Sequence, residues 1–298
     1  MTKFAFCDQS EWVRQFDTAT PSELPFAVHR ATTNVHNIAF TADNEFALVW
    51  GPGAIEIRKT TGPKTENHVY KHALTISTVR LRTVGGTQRI YFSALKAASQ
   101  PGPQYYNIYY LTLGPLGYVP TLYTTIDPTQ LKIPNPCNPS VENWYWYSGD
   151  FVFGDNDTLY LASGNLGSTP VGIYRVDGAG PDTVTGTPVR IHLSEGPIWN
   201  LCYKAPSSLF FTRGNFIWKF DLSSMGESFE GAVPVKPGSY VIDIAEVGNG
   251  LPKQPWWTFY SVIAASLAWV AAAVAKAGDA LHIAGGRKSV ARPETPPR

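Results

Sequence analysis

The sequence predicts an all-β fold: a β-propeller of five blades, closed by strands from both ends of the chain in one blade, with a C-terminal α-helix after it. Three observations carry that expectation. Short apolar alternating runs meet turn residues repeatedly, as in Gly149–Leu161, where Phe151-Val152-Phe153 leads through Asp155-Asn156-Asp157 into Leu159-Tyr160-Leu161, a tight hairpin. The same design recurs with a fixed internal step, since Asn37 to Phe46, Asp150 to Leu159 and Asn200 to Leu209 are each nine residues apart. Four-stranded units then repeat at roughly 40–50 residues, the period of a blade that needs a neighbour to cover its faces. A blade-like segment with an unrecognised strand raises the count to six.

Composition bounds the rest. With 298 residues, 44% hydrophobic and only 16% charged, the chain is long and apolar enough for a sizeable packed core. Its 26 glycines and 24 prolines are spread along the chain, as many short strands and turns require. A formal charge of +1 leaves no concentrated basic face for nucleic acid. Cys7, Cys137 and Cys202 are too few for a paired framework and lack metal-like spacing, so they read as buried or free thiols. The first residues lack the apolar core of a secretory signal.

Taken in order, the unit beginning at Asn37 has strands over 35–41, 45–50, 53–59 and 66–73. The next has 75–83, 88–95, 105–113 and 118–126, with Gly85-Gly86 at its first turn. A third has 146–154, 157–163, 171–177 and 187–193, and a fourth has 198–205, 208–213, 215–221 and 231–236. Ser239–Glu246 reads as one more innermost strand with no three strands after it. The N-terminus holds the missing three, around Phe4–Cys7, Trp12–Phe16 and Phe26–His29, so both ends are expected in one blade. Residues 127–145, with four prolines, read as a long irregular connection running into Trp144-Tyr145-Trp146-Tyr147, either packed or serving as a lid. The propeller is thus placed at 1–250, an apolar helix at 254–277 and a flexible tail at 278–298.

Within that helix, 256–275 carries no charge, enough to span a bilayer, with Trp256, Trp257 and Tyr260 at one interface. Such a run also suits a helix packed against the propeller. The expectation is membrane association, with the propeller on the cytosolic side.

The chemistry expected lies on the axis. Equivalent positions on innermost strands point at a common centre, which gathers Asn37, Thr78, Asp150, Asn200 and Asp243. Asp150, Asp243, Asn200 and Asn37 would supply hard oxygen ligands for Ca²⁺ or Mg²⁺, or else hold ordered water. Thr78, His36, Glu195, Trp199 and Trp146 are the candidate ligand-binding residues at the same mouth, for a small molecule or a protein. There is no G-x-S-x-G elbow, H-E-x-x-H, P-loop or paired-cysteine zinc site.

Gly149–Leu161, with Gly172-Ile173-Tyr174-Arg175-Val176-Asp177, resembles the blades of the six-bladed group that includes senescence marker protein 30, gluconolactonase and NHL-repeat proteins. That resemblance covers about 36–246 and implies a divalent metal at the channel mouth, with Asp150, Asn200 and Asp243 in matching positions. The group's N-terminal glutamate ligand has no counterpart here. Two functions follow as expectations: a ligand-binding or scaffold propeller tethered by its C-terminal helix, or a Ca- or Mg-dependent hydrolase of lactones or esters. In the second, the ion would polarise a carbonyl or activate water.

Overall fold

A computed structural model describes residues 3–246 apart from 8–11, 21–25, 31–34, 41–45, 52, 60–67, 74, 96–105, 115–116, 127–132, 136–137, 144–145, 165–170, 197, 199 and 234–242. Its strands run in chain order: β1 (Lys3–Cys7), β2 (Trp12–Asp17), β3 (Phe26–Arg30), β4 (Asn37–Phe40), β5 (Phe46–Gly51), β6 (Ala54–Lys59) and β7 (His68–Lys71). There follow β8 (Ile76–Val84), β9 (Thr87–Leu95), β10 (Tyr106–Gly114), β11 (Gly117–Ile126), β12 (Ile133–Asn135) and β13 (Asn138–Asn143). The remainder are β14 (Trp146–Phe153), β15 (Leu159–Gly164), β16 (Val171–Val176), β17 (Val189–Ser194), β18 (Leu201–Lys204), β19 (Ser208–Arg213), β20 (Phe216–Asp221), β21 (Gly226–Ala232) and β22 (Asp243–Glu246). They all lie within the unit Met1–Lys253.

The strands form five four-stranded antiparallel sheets and one two-stranded sheet. Four of the larger sheets are runs of consecutive strands, β4–β7, β8–β11, β14–β17 and β18–β21. The fifth has the order β22-β1-β2-β3, with Phe6 opposite Ile244 and Cys7 opposite Asp243. The two ends of the described chain therefore share one sheet. Local sequence sets the turns: Val84 pairs with Thr87 across Gly85 and Gly86, both at positive φ, the two-residue turn whose twist suits a hairpin. At the other signature hairpin Asn156 and Asp157 both take positive φ, and the Gly154 N–H donates to the Thr158 carbonyl at 2.9 Å. Asn and Asp accept that backbone more readily than most side chains.

The cores lie between sheets. Tyr91, Ile108 and Tyr123 of one sheet meet Phe151, Leu159 and Tyr174 of the next. Ile173 and Ala162 meet Leu201, Leu209 and Phe211, and Phe4, Phe6 and Ile244 meet Phe210 and Ile217. Ile55 and Tyr70 meet Val79, Phe92 and Leu111 in the same way. A strand covered on both faces reads as an unbroken apolar run, which is why Phe4-Ala5-Phe6-Cys7 does not alternate and is wholly buried. Each such Phe contributes about 1.5–3 kcal/mol by burial. The innermost strands touch in a circle, β4 to β8, β8 to β14, β14 to β18, β18 to β22 and β22 back to β4. This is a β-propeller.

Two details differ from the sequence reading. Residues 127–145, read as irregular, contain the hairpin of β12 and β13, in which Ile133 pairs with Asn143. The last strand of the fourth unit begins at Gly226, well before the expected 231, because Asp221 closes a tight turn: its Oδ1 accepts the Ser223 and Ser224 N–H groups at 2.9 and 3.1 Å. Of the innermost strand read at Ser239–Glu246, Asp243–Glu246 is strand and 239–242 lie outside the described residues. No helix occurs among the described residues, and none there is long and apolar enough to cross a membrane. The helix expected at 254–277, the span at 256–275 and the tail at 278–298 lie outside the described residues.

Candidate functional site

The polar position on each innermost strand is buried. Asn37, Thr78, Asp150, Asn200 and Asp243 are each at most 3% exposed. Burial on that scale demands partners, and the partners run from sheet to sheet. Asp243 Oδ2 accepts the Ile38 N–H at 2.9 Å, and Asn37 Oδ1 accepts the Val79 N–H at 2.8 Å. Asp150 Oδ2 accepts the Leu201 N–H. In all three cases the acceptor is the polar residue of one sheet, and the donor follows the polar residue of the next. The β8–β14 junction varies the pattern: the Thr78 hydroxyl donates to Asp150 Oδ1 at 3.1 Å, which also takes the Phe151 N–H at 2.9 Å. Asn200 turns to its own sheet, with Nδ2 donating to Thr212 Oγ1 at 2.6 Å and Oδ1 accepting the Thr212 N–H at 3.2 Å.

Sequence reasoning missed the residue at the centre. Arg80, two places beyond Thr78 on β8, sends its guanidinium to the innermost strands of the other four large sheets. Nε donates to the Phe151 carbonyl at 2.9 Å. Nη1 donates to Asn37 Oδ1 at 3.0 Å and to the Val79 carbonyl at 2.9 Å. Nη2 donates to Asp150 Oδ1 at 2.6 Å and to the Leu201 carbonyl at 3.1 Å. Asp243 stands slightly further off, with Oδ1 at 3.4 Å from Nη2. Its five N–H donors thus all have acceptors.

Electrostatics fit a closed cluster. Burial pushes the Asp150 carboxyl above its ordinary value; Arg80 pulls it back and Asp243 pushes it up again. Asp243 is likewise raised by burial and opposed by Arg80. Burial alone would lower the Arg80 pKa, but the two carboxylates outweigh it and hold it above the usual arginine range.

These contacts change the reading of the expected ligand set. The oxygens of Asp150, Asp243 and Asn37 expected to face Ca²⁺ or Mg²⁺ face a guanidinium, which supplies the positive charge their repulsion calls for. Asn200 is engaged by Thr212. The donor set does not fit a hard divalent cation at this point, and among the described residues no cluster of three or more His, Cys, Asp or Glu side chains is placed to hold a metal. Arg80 itself is 6% exposed, so the axis is filled at this level.

His36 precedes β4, half-buried, with its pKa lowered by burial. Glu195 is exposed on the turn after β17. Trp146 opens β14, opposite Gly164, and Trp199 lies outside the described residues. One sequence signal did point to Arg80. The residues two along from the polar position on the other strands are Ala39, Val152, Cys202 and Ala245, on the same strand face by the period of two and all small enough to leave space for one long side chain.

No protein-family profile matches the sequence, and no curated protein matches it. The structure is similar to the RRP9 WD40 repeats, with TM-score 0.47 and 10% identity over 84% of this chain and 82% of that one. It is also similar to the β-propeller domain of Myceliophteria thermophila Cps50 (Swd1), with TM-score 0.39 and 5% identity over 75% of this chain and 84% of that one. A protein from Lactobacillus plantarum matches with TM-score 0.36 and 15% identity over 80% of this chain and 68% of that one. These likenesses concern overall arrangement and bear on no activity.

Proposed function

We propose that this chain is a five-bladed binding scaffold whose axis is a structural keystone and not a reaction centre. The observation that carries the reading is Arg80: one guanidinium, with every donor satisfied, joined to the innermost strands of all five four-stranded sheets. A catalytic cation site needs an open coordination position, and a general acid or base needs access to substrate. A saturated, buried Arg–Asp cluster offers neither. Propeller folds host many functions on one frame, and with the axis closed this reading places binding of a protein or small molecule on the outer surfaces. The uncharged run 256–275 would tether the scaffold to a bilayer with the propeller on the cytosolic side, a reading that rests on the sequence. Carbonate extraction that leaves the full chain soluble removes the tether.

The axis is tested by ion titration of the unfolding transition. The scaffold reading expects Ca²⁺, Mg²⁺ and Mn²⁺ to leave the melting temperature unchanged. A saturable rise that follows mass action, and disappears in Asp150→Asn, would overturn it in favour of a metal-dependent hydrolase of the gluconolactonase kind.

A further inference from the structure

The chain's longest run without a charged residue is 97–126, 30 residues between Lys96 and Asp127. The next longest is 254–275, which holds the candidate tether. The first run contains β10 and β11, and β11 is the outer strand of its sheet. Every other outer strand of a large sheet carries a charge: Arg30 in β3, Lys71 in β7, Arg190 in β17 and Glu227 in β21. Charges on an edge strand hold it in water and away from other surfaces. β11 lacks that device along all its 10 residues.

The strand is also bare. Gly117 and Val119–Leu122 are exposed, Val119 at 51% and Leu122 at 53%. Val119 stands opposite Thr112 and Leu122 opposite Tyr109, on alternate faces, so the end of the hairpin offers apolar surface on both sides. Each other exposed large apolar side chain among the described residues has a charged residue within three positions; for Val119 and Leu122 the nearest is Asp127. An added strand fits this edge poorly, because Pro120 has no N–H to give and the pairing with β10 shifts register beside Leu122. A bilayer surface fits it better. The run holds six tyrosines, whose rings are apolar and whose hydroxyls seek water, the character of side chains at a membrane–water interface. The open main-chain groups of an edge strand bar it from the hydrocarbon core, whereas at headgroup level water remains to pair with them.

We propose that the outer end of the β10–β11 hairpin, centred on Val119 and Leu122, rests in the interfacial layer of a bilayer and takes a zwitterionic lipid surface as its partner. With no Lys or Arg in 97–126, the contact draws nothing from anionic headgroups, so phosphatidylcholine suffices and salt has little effect. The proposal rests on the reading of 256–275 as a tether, since two apolar side chains hold a membrane only weakly unless something keeps them close to it. It adds which surface of the propeller meets the lipid.

The test uses the full chain with an excess of phosphatidylcholine vesicles, followed by flotation and hydrogen exchange. Exchange over 117–122 should slow about ten-fold when vesicles are added, equally at low and high salt. The double variant Val119→Lys, Leu122→Lys should float as the unaltered chain does and lose the slowing. Its melting temperature should be kept, because both side chains are more than half exposed. A chain that floats without slowing at 117–122 overturns the hairpin contact and leaves the tether standing. A chain that does not float removes the tether, and exchange at the same lipid excess still decides the hairpin: slowing upholds the contact and its absence overturns it. Slowing that survives the double variant, or that fades as the protein is diluted in lipid, marks some other contact such as a neighbouring copy and overturns the proposal.

Discussion

Replacing Arg80 by methionine keeps most of the stem and deletes the guanidinium. Asp150 and Asp243 then stay buried, at 2% and 0% exposure, without their cation. The Phe151 and Leu201 carbonyls each lose a donor. Removing one partner of a buried pair costs about 3–5 kcal/mol, most of it the stranded charge. For a domain of this size, 1 kcal/mol moves the melting temperature by about 2–4 °C, so the expected fall is roughly 6–20 °C. Thermal and urea unfolding followed by circular dichroism measure it. Adding Asp150→Asn and Asp243→Asn should recover a large part, because no buried charge remains. The single variant should also improve in acid. Burial holds both carboxyls above their ordinary values, and without Arg80 the main opposing charge is gone, leaving the hydrogen bonds from Thr78, Leu201 and Ile38. The native state then keeps protons that the unfolded chain releases above about pH 4, so stability is greatest below that pH and is lost as pH rises. A loss below about 1 kcal/mol, or no recovery in the triple variant, refutes the keystone.

Other outcomes can be checked by the same assays. Gly186→Ala should cost more than about 2 kcal/mol, because its Cβ would collide with the Asp177 backbone, which cannot yield as a side chain can; a neutral result is the contrary finding. Deleting residues 1–17 removes β1 and β2 and parts β22 from β3, so cooperative unfolding should disappear; a sharp transition in that chain would deny the shared sheet. His192 has its pKa lowered by burial, against the pull of Glu227 at 2.7 Å, so it binds fewer protons in the native than in the unfolded state and costs stability as pH falls below about 6.5. His192→Gln should lose less of its urea midpoint than the wild type between about pH 7.5 and 5.5; an equal loss would count against this account.

Strand positions were largely legible because four of the five larger sheets are built from neighbouring segments: the hairpin through Asp155–Asp157 needs no information from elsewhere in the chain. The polar positions were legible too, since Asn37, Asp150 and Asn200 interrupt apolar runs at one fixed step. Arg80 was not, because its role depends on Ala39, Val152, Cys202 and Ala245, residues far apart in sequence that leave room together. Beside Thr78 and Arg82 in the alternating run Thr78-Val79-Arg80-Leu81-Arg82, Arg80 reads locally as part of a solvated strand face. The hydrogen bonds that Arg82, Arg89, Tyr91 and Tyr123 give to Ala179–Asp182 were hidden for the same reason, as the donors lie between 57 and 98 residues earlier in the chain. The hairpin of β12 and β13 was masked by its prolines, which lower strand propensity without preventing a short pairing.

The sheet that unites β1 with β22 also sets a timetable. Arg80 and Asp243 are 163 residues apart, and at roughly 5–20 residues per second a ribosome needs about 8–33 s to travel between them. Through that interval β1–β3 wait as a three-stranded sheet with an open edge, and the guanidinium lacks one of its two carboxylates. Asp150, 70 residues after Arg80, arrives first and makes the shorter of the two ion pairs. An early Arg80–Asp150 pair would neutralise the cation while the nascent ring is still open. The growing chain would then carry its exposed edge, but not an unmatched charge, to the moment of closure.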